Sequence, residues 1–321
     1  MTEPLSIAIL GATGHVGKCL AAGLSTDPTM ELTLVARDMV RLGGFVAMLP
    51  DGLARQVHTQ TTFDDFATGA YDAVINCVGF GDPAALAAAS SESVFALTER
   101  FDQLVLDYLA RSPETKYVSF SSGAAYGGGF EEPASESTCS VFPVNALTPQ
   151  DFYGLAKLAS EAKHRAVSDR AIIDLRLFGL YSRYIDPKAR YFMNDVFRAV
   201  VTGETLVVGA GNIWRDYVDP GDLAALLVTV LRSSPRNDVF DVFSAEPASK
   251  YAILDDFAQL YGLSYEIDEG RADGSPTGAK LSYYSVNRRA AEIGYVPQRT
   301  SLETLRSETD ARLPHQKRAL T

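Results

Sequence analysis

The stretch Ser6-Ile-Ala-Ile-Leu10 runs directly into Gly11-Ala-Thr-Gly14-His-Val-Gly17, and an apolar helical face of Val16, Leu20 and Leu24 follows. An apolar run, three glycines at this spacing and a helix put the glycines at a strand-to-helix turn. The first glycine permits the tight turn, the second lets backbone approach a pyrophosphate, and the third lets helix lie close to strand. The unpaired N–H groups and positive dipole at the helix start favour an anion there. Gly11, Thr13, Gly14, His15, Val16 and Gly17 are therefore the expected cradle of a dinucleotide. The His15 side chain reads as a solvent-side helix residue and not as a catalyst.

Working outward, apolar runs and helical stretches alternate: Leu5–Leu10, Gly14–Leu24, Leu32–Ala36, Ala73–Val78, Val94–Ala110 and Tyr117–Ser121, then a helix over 151–168 and a strand over 171–178. That alternation is the pattern of βαβ units and a parallel sheet. After Phe178 it loosens through LYSRYIDPKARYF. Helices near 191–202, 221–232 and 251–261 follow, with strands near 205–208 and 238–243, and the mixed tail ends as strand then helix. The expected class is α/β: a Rossmann-like doubly wound parallel sheet from 1–178 and 218–245, with a smaller, discontinuous C-terminal substrate domain from 179–217 and 246–321. The Gly/Ser/Pro cluster at 273–278 reads as a surface loop.

At 321 residues and 46% hydrophobic, the chain can fill one large domain or two modest ones. A net charge of -11 argues against binding to nucleic acid or an anionic membrane, both of which need a positive surface. An anionic substrate would need local basic groups. The amino terminus lacks a positively charged leader and reads as a strand, and no apolar run approaches bilayer-spanning length. Cys19, Cys77 and Cys139 are widely spaced with no CxxC pair, which predicts no metal site and a reducing, cytoplasmic setting.

In dinucleotide folds a carboxylate at the end of the second strand favours NAD through the ribose 2′-hydroxyl. Here Ala36-Arg37 stands there, with Asp38 one position on. A guanidinium suits a 2′-phosphate, so NADP(H) is favoured over NAD(H), with Arg41 as a second contact. Cys77, Val78 and Gly79 are expected on the same cofactor.

Tyr153-Gly-Leu-Ala-Lys157 places a phenol and an ammonium one helical turn apart on a shared face, where the cation favours phenolate. With a nicotinamide nearby, such a tyrosine can give a proton to a carbonyl oxygen or take one from a hydroxyl while hydride moves at carbon. GATGHVG, FSSGAAYGG and this YGLAK segment together resemble the extended short-chain dehydrogenase/reductases, the nucleotide-sugar epimerase/dehydratase family. RLFGLYSR, GAGNIWRDYVDPGDLA and AEIGYVP resemble further family landmarks in the family's order, so the likeness covers most of the chain. The resemblance implies catalytic Ser122, Tyr153 and Lys157. Lys157 would also anchor the cofactor ribose. Ser122 is preferred over Ser121 because the family's Ser or Thr lies four residues before the tyrosine of the strand-end Tyr126-Gly127. Ser121 then falls on the cofactor side.

The resemblance also ranks the reactions. Sugar 4,6-dehydratases of the family carry an acidic pair after the Ser/Thr, whereas Gly123 and Ala124 cannot act as acid or base. Epimerase-reductases of the fucose-synthase kind use a cysteine where this chain has Ala124 and a later histidine, and no histidine stands between His164 and His315. The remaining readings are an NADPH-dependent reductase of a keto-sugar nucleotide, for example a 4-keto-6-deoxysugar nucleotide, and a C4 epimerase with retained NAD. Arg37 favours the reductase. A reductase of a non-nucleotide carbonyl and a non-catalytic NAD(P)-binding regulator are further alternatives, the last opposed by the intact trio.

Arg215 resembles the family arginine that grips the diphosphate. Ser122, Gly123, Ala124 and Arg183 complete the expected substrate side, with Lys188 and Arg190 in the segment that frames it. The family asparagine after RLF is Gly179 here, which removes a substrate contact. Trp214 reads as a residue that packs on a base or fills core, with core filling preferred. A homodimer through the helices near 93–110 and 151–168 is typical of the family, with Phe95, Phe101, Leu104, Val105 and Tyr108 as its apolar candidates.

Overall fold

The computed structural model describes residues 4–50, 57–80, 83–271 and 280–317. Nine strands precede residue 243: β1 (Leu5–Leu10), β2 (Met30–Val35), β3 (Val57–Thr61), β4 (Ala73–Asn76), β5 (Lys116–Ser122), β6 (Ile172–Leu177), β7 (Leu206–Gly209), β8 (Trp214–Arg215) and β9 (Asp238–Val242). All but β7 and β8 form one parallel sheet in the order β3-β2-β1-β4-β5-β6-β9. The strand order reverses between β1 and β4. In a doubly wound sheet the crevice beyond the strand ends at that reversal takes the ligand.

Parallel strands are covered on both faces, which is why they read as apolar runs and not as alternations. Ile7, Ala8, Ile9 and Leu10 of β1 are all wholly buried. Helices α1 (His15–Leu24), α2 (Met39–Met48) and α7 (Pro220–Arg232) share one apolar cluster with one face of the sheet. On the other face α4 (Ser91–Arg111), which follows the short α3 (Pro83–Ala88), packs Val105, Tyr108 and Leu109 over Phe66, Val74 and Tyr117. Next to α4 runs α5 (Phe152–Ala166), joined to it by Lys163–Asp102 and His164–Asp102 contacts.

A separate buried cluster of Tyr181, Met193, Val196, Leu254, Phe257 and Leu305 holds α6 (Phe192–Thr202), α8 (Lys250–Tyr261) and α9 (Ser301–Lys317) together. Two small sheets accompany it: β7 with β11 (Tyr265–Asp268), and β8 between β10 (Ala248–Ser249) and β12 (Ser282–Tyr283).

The expected elements lie within a few residues of their predicted bounds, but α2 and β3 occupy a stretch where none is predicted. Two adjacent glycines, Gly43 and Gly44, break up the pattern of α2, and β3 reads VHTQT, a polar strand at the sheet edge. Trp214 is a correction: it is 40% exposed, its ring 6.3 Å from that of Tyr284, and fills no core. Phe101, Val105 and Tyr108 are buried on the sheet side of α4, so of the apolar residues proposed for a dimer face only Phe95 is exposed and Leu104 half-buried. The 273–278 cluster lies outside the described residues. No helix of the described residues is long and apolar enough to cross a membrane.

Candidate active site

Gly11 has φ +78°, a left-handed conformation, and a side chain there would meet the backbone of Cys77 and Val78 at 3.1 Å. The turn after β1 is therefore pressed against the turn after β4, which brings Cys77, Val78 and Gly79 to it. At Gly17 a Cβ would fall 2.4 Å from the Gly11 carbonyl oxygen, so α1 starts tight against the strand end. Gly14 caps α1 and makes no side-chain cap hydrogen bond. These features fit a dinucleotide pyrophosphate.

A cavity of about 260 Å³ opens beside this turn. Gly14, His15, Val16, Cys77, Val78 and Gly79 line it from the cofactor side, and Ser121, Ser122, Tyr153 and Lys157 line it from β5 and α5. Gly11, Thr13 and Gly17 shape the turn behind that wall. Phe178, Gly179 and Tyr191 also line it.

His15 is not solvent-side. Its Nε2 lies 2.7 Å from the Ser182 hydroxyl, to which the Cys19 thiol also donates at 3.1 Å. Burial, helped by Lys18 and Arg312, pushes the imidazole down to about 3, so it is neutral and ties α1 to the segment after β6. Arg37 is exposed after β2, whereas the Asp38 carboxylate accepts the Arg41 backbone N–H at 2.9 Å and caps α2. Burial and the charge of Arg41 depress the Lys18 ammonium, the one cation of α1, which lies over the Phe45 ring of α2.

The Lys157 ammonium is buried, donates to the Phe120 carbonyl at 2.8 Å and lies 5.9 Å from the Tyr153 ring centroid. Ser121 and Ser122 are adjacent yet point to different partners. The Ser121 hydroxyl donates to Glu161 at 2.5 Å, and Glu161 is itself held by the Arg176 guanidinium. The Ser122 hydroxyl accepts from the Ala124 N–H at 3.2 Å and is 3.0 Å from the Tyr283 hydroxyl. Gly123 and Ala124 lie in a buried 3₁₀ turn.

A model described as the NAD dependent epimerase/dehydratase family matches residues 7–243. The chain belongs to that family. Solved structures of similar fold include a UDP-N-acetylglucosamine 4-epimerase of Methanobrevibacter ruminantium M1 (TM-score 0.76, 16% identity, 98% of this chain and 100% of that one). A UDP-glucuronic acid 4-epimerase of Bacillus cereus, solved with NAD, is similar over 97% of this chain and 100% of its own (TM-score 0.76, 16% identity). An ADP-L-glycero-D-manno-heptose-6-epimerase of Helicobacter pylori follows at TM-score 0.75 and 18% identity over 98% and 96%. No curated protein matches the sequence.

Within this member of the epimerase/dehydratase family, the residues expected to hold substrate part company. Arg183 does not line the cavity: its guanidinium is spent on Glu308 of α9 at 2.7 and 3.0 Å. Gly179 has a structural cause, since a Cβ there would fall 2.4 Å from the Asp216 carbonyl oxygen. Arg215 stands in β8 in register with Tyr283 of β12, its guanidinium 5.9 Å from that ring and donating to the Trp214 and Lys280 carbonyls at 2.7 and 2.8 Å. Tyr283 thus joins Arg215 to Ser122. Tyr283, Lys280 and Tyr191 carry no sequence motif that singles them out; a tyrosine pair in an otherwise polar tail is the only trace.

Proposed function

We propose that this protein is an NADPH-dependent reductase of a keto-sugar nucleotide. The observation that carries this reading is the meeting of Ser122, Tyr153 and Lys157 with the glycine turn around one cavity. The cofactor, when bound, supplies or accepts hydride at carbon. Tyr153 gives or takes the proton at the substrate oxygen, Ser122 hydrogen-bonds that oxygen, and Lys157, held by the Phe120 carbonyl, keeps a cation near the phenol. The phosphate choice rests on the end of β2: Asp38 is engaged in a helix cap, leaving Arg37, with Arg41 and Lys18 behind it, to meet a 2′-phosphate. The region of 179–217 and 246–321 would cover the sugar nucleotide, with Arg215 toward its diphosphate.

The test is consumption of NADPH against NADH with a 4-keto-6-deoxysugar nucleotide. We expect NADPH to be preferred, Arg37→Ala to erode that preference by about tenfold, and Tyr153→Phe to cut turnover by roughly 10²–10⁴-fold. NAD that stays bound through purification, with redox-neutral interconversion of hydroxyl epimers, overturns it. That outcome supports the second reading, a C4 epimerase, favoured by the 4-epimerases among the similar folds, one of them solved with NAD.

A further inference from the structure

Lys280 is only 3% exposed, and no carboxylate among the described residues is paired with it. Its ammonium lies 4.4 Å from the centroid of the Tyr283 ring and 5.2 Å from that of Phe130. The Arg215 guanidinium lies against the same Tyr283 ring, and its Nη1 donates to the carbonyl of Lys280 itself. Burial and repulsion by Arg215 bring Lys280 down to about 8. Other buried cations of this chain are matched: Lys157 donates to the Phe120 carbonyl, Arg312 to the Tyr181 hydroxyl, and Arg176 pairs with Glu161. A buried ammonium held over two rings beside a second cation is costly unless an anion comes to it. Such groups gather at functional sites.

The position of that anion follows from Tyr283. One end of this side chain, its hydroxyl, is 3.0 Å from Ser122 Oγ, and its ring carries Lys280. Lys280 is thus one aromatic ring from the hydroxyl that would touch the reacting oxygen. Arg215 is the cation assigned to the diphosphate.

We propose that Lys280 is a specificity residue for an acidic sugar: it receives a carboxylate carried on the sugar ring, beside the Ser122–Tyr283 end of the site. This rests on the sugar-nucleotide reading of the site but not on its direction of reaction. A neutral sugar would leave the buried Lys280 ammonium with no carboxylate partner among the described residues, whereas a uronate offsets its burial and its repulsion by Arg215. The carboxylate draws the ammonium back toward its ordinary value, and the aromatic walls exclude the water that would screen the pair.

The experiment is an NMR titration of lysine Nζ in the full chain, with the Lys280 resonance assigned by its absence from Lys280→Met. D-Glucuronate, D-glucose and pyrophosphate are added separately. We expect glucuronate to raise the Lys280 pKa by roughly one unit or more, and glucose and pyrophosphate to leave it in place. A response to pyrophosphate alone, or an equal response to both anions, makes Lys280 a phosphate or unselective cation and overturns the proposal. So does no response to any of the three. None of these arms needs turnover or a chosen nucleotide, so failure of the reductase reading is seen separately, as absent NADPH consumption.

Discussion

Two clusters of buried charge are built in contrasting ways. Between α4, α5 and β6, His164 is wholly enclosed, its Nδ1 2.9 Å from Asp174 and its Nε2 2.6 Å from Asp102. Lys163 and Arg165 add to the same two carboxylates, and the Tyr117 hydroxyl donates to Asp102 at 3.0 Å. Burial works against the imidazolium, but the hydrogen bonds and charges of Asp102 and Asp174 outweigh it and push His164 up to about 9. Every charge there has its opposite at hand. Beside Tyr283, Lys280 has no carboxylate partner among the described residues, and burial and the like charge of Arg215 depress it to about 8. The first cluster is finished by folding and holds helices to sheet. The second is left incomplete and spends stability on readiness for a ligand.

That contrast can be broken by mutation. His164→Leu leaves two buried carboxylates short of their shared partner, and urea unfolding at pH 7 should register a loss of about 3–5 kcal/mol. An unchanged midpoint would deny the cluster its structural role. Its pH dependence is the next largest effect. The folded value of about 9 exceeds the 6.5 of an ordinary histidine, so the stabilisation is complete below about pH 6.5 and is lost as pH rises through about 9. The full span is worth on the order of 3 kcal/mol, readable as the difference in unfolding free energy between wild type and His164→Leu across that window. Lys280 has the opposite sign. Its folded value lies below the ordinary 10.5, so its cost is full below about pH 8 and is relieved as pH rises toward 10.5. Lys280→Met should therefore stabilise the ligand-free protein at neutral pH by about 1–3 kcal/mol. A loss of stability in that variant would place Lys280 with the structural charges.

The difference between the clusters also explains what could be read in advance. The glycine turn, Tyr153 and Lys157 are local: each motif's spacing within one strand-turn-helix or one helical turn already sets its geometry. Arg37 and Asp38 stand side by side, but only the start of α2 reveals that Asp38 is engaged as a cap. His15 reads as an outward residue because the helix face it occupies meets Ser182, far along the chain, and nothing near His15 announces that partner. Arg183 sits in the right segment, but Glu308 of α9 takes it out of the site.

The sequence alone determined that this chain makes a parallel α/β sheet with a glycine-rich strand-to-helix turn and a Tyr153–Lys157 pair on one helical face, because strand and helix periodicities, glycine sterics and the reach of one helical turn act over a few residues; Ser122 was singled out only by the family resemblance. Tertiary structure decided what stands beside Ser122. The register of β8 with β12 brings Arg215 beside Tyr283, Tyr283 reaches Ser122, and Lys280 is shut in with them. The physical reason is that burial and charge pairing are sums over neighbours from distant segments, so the same lysine is a solvated surface cation or a buried one without a carboxylate among the described residues, depending on which strands meet.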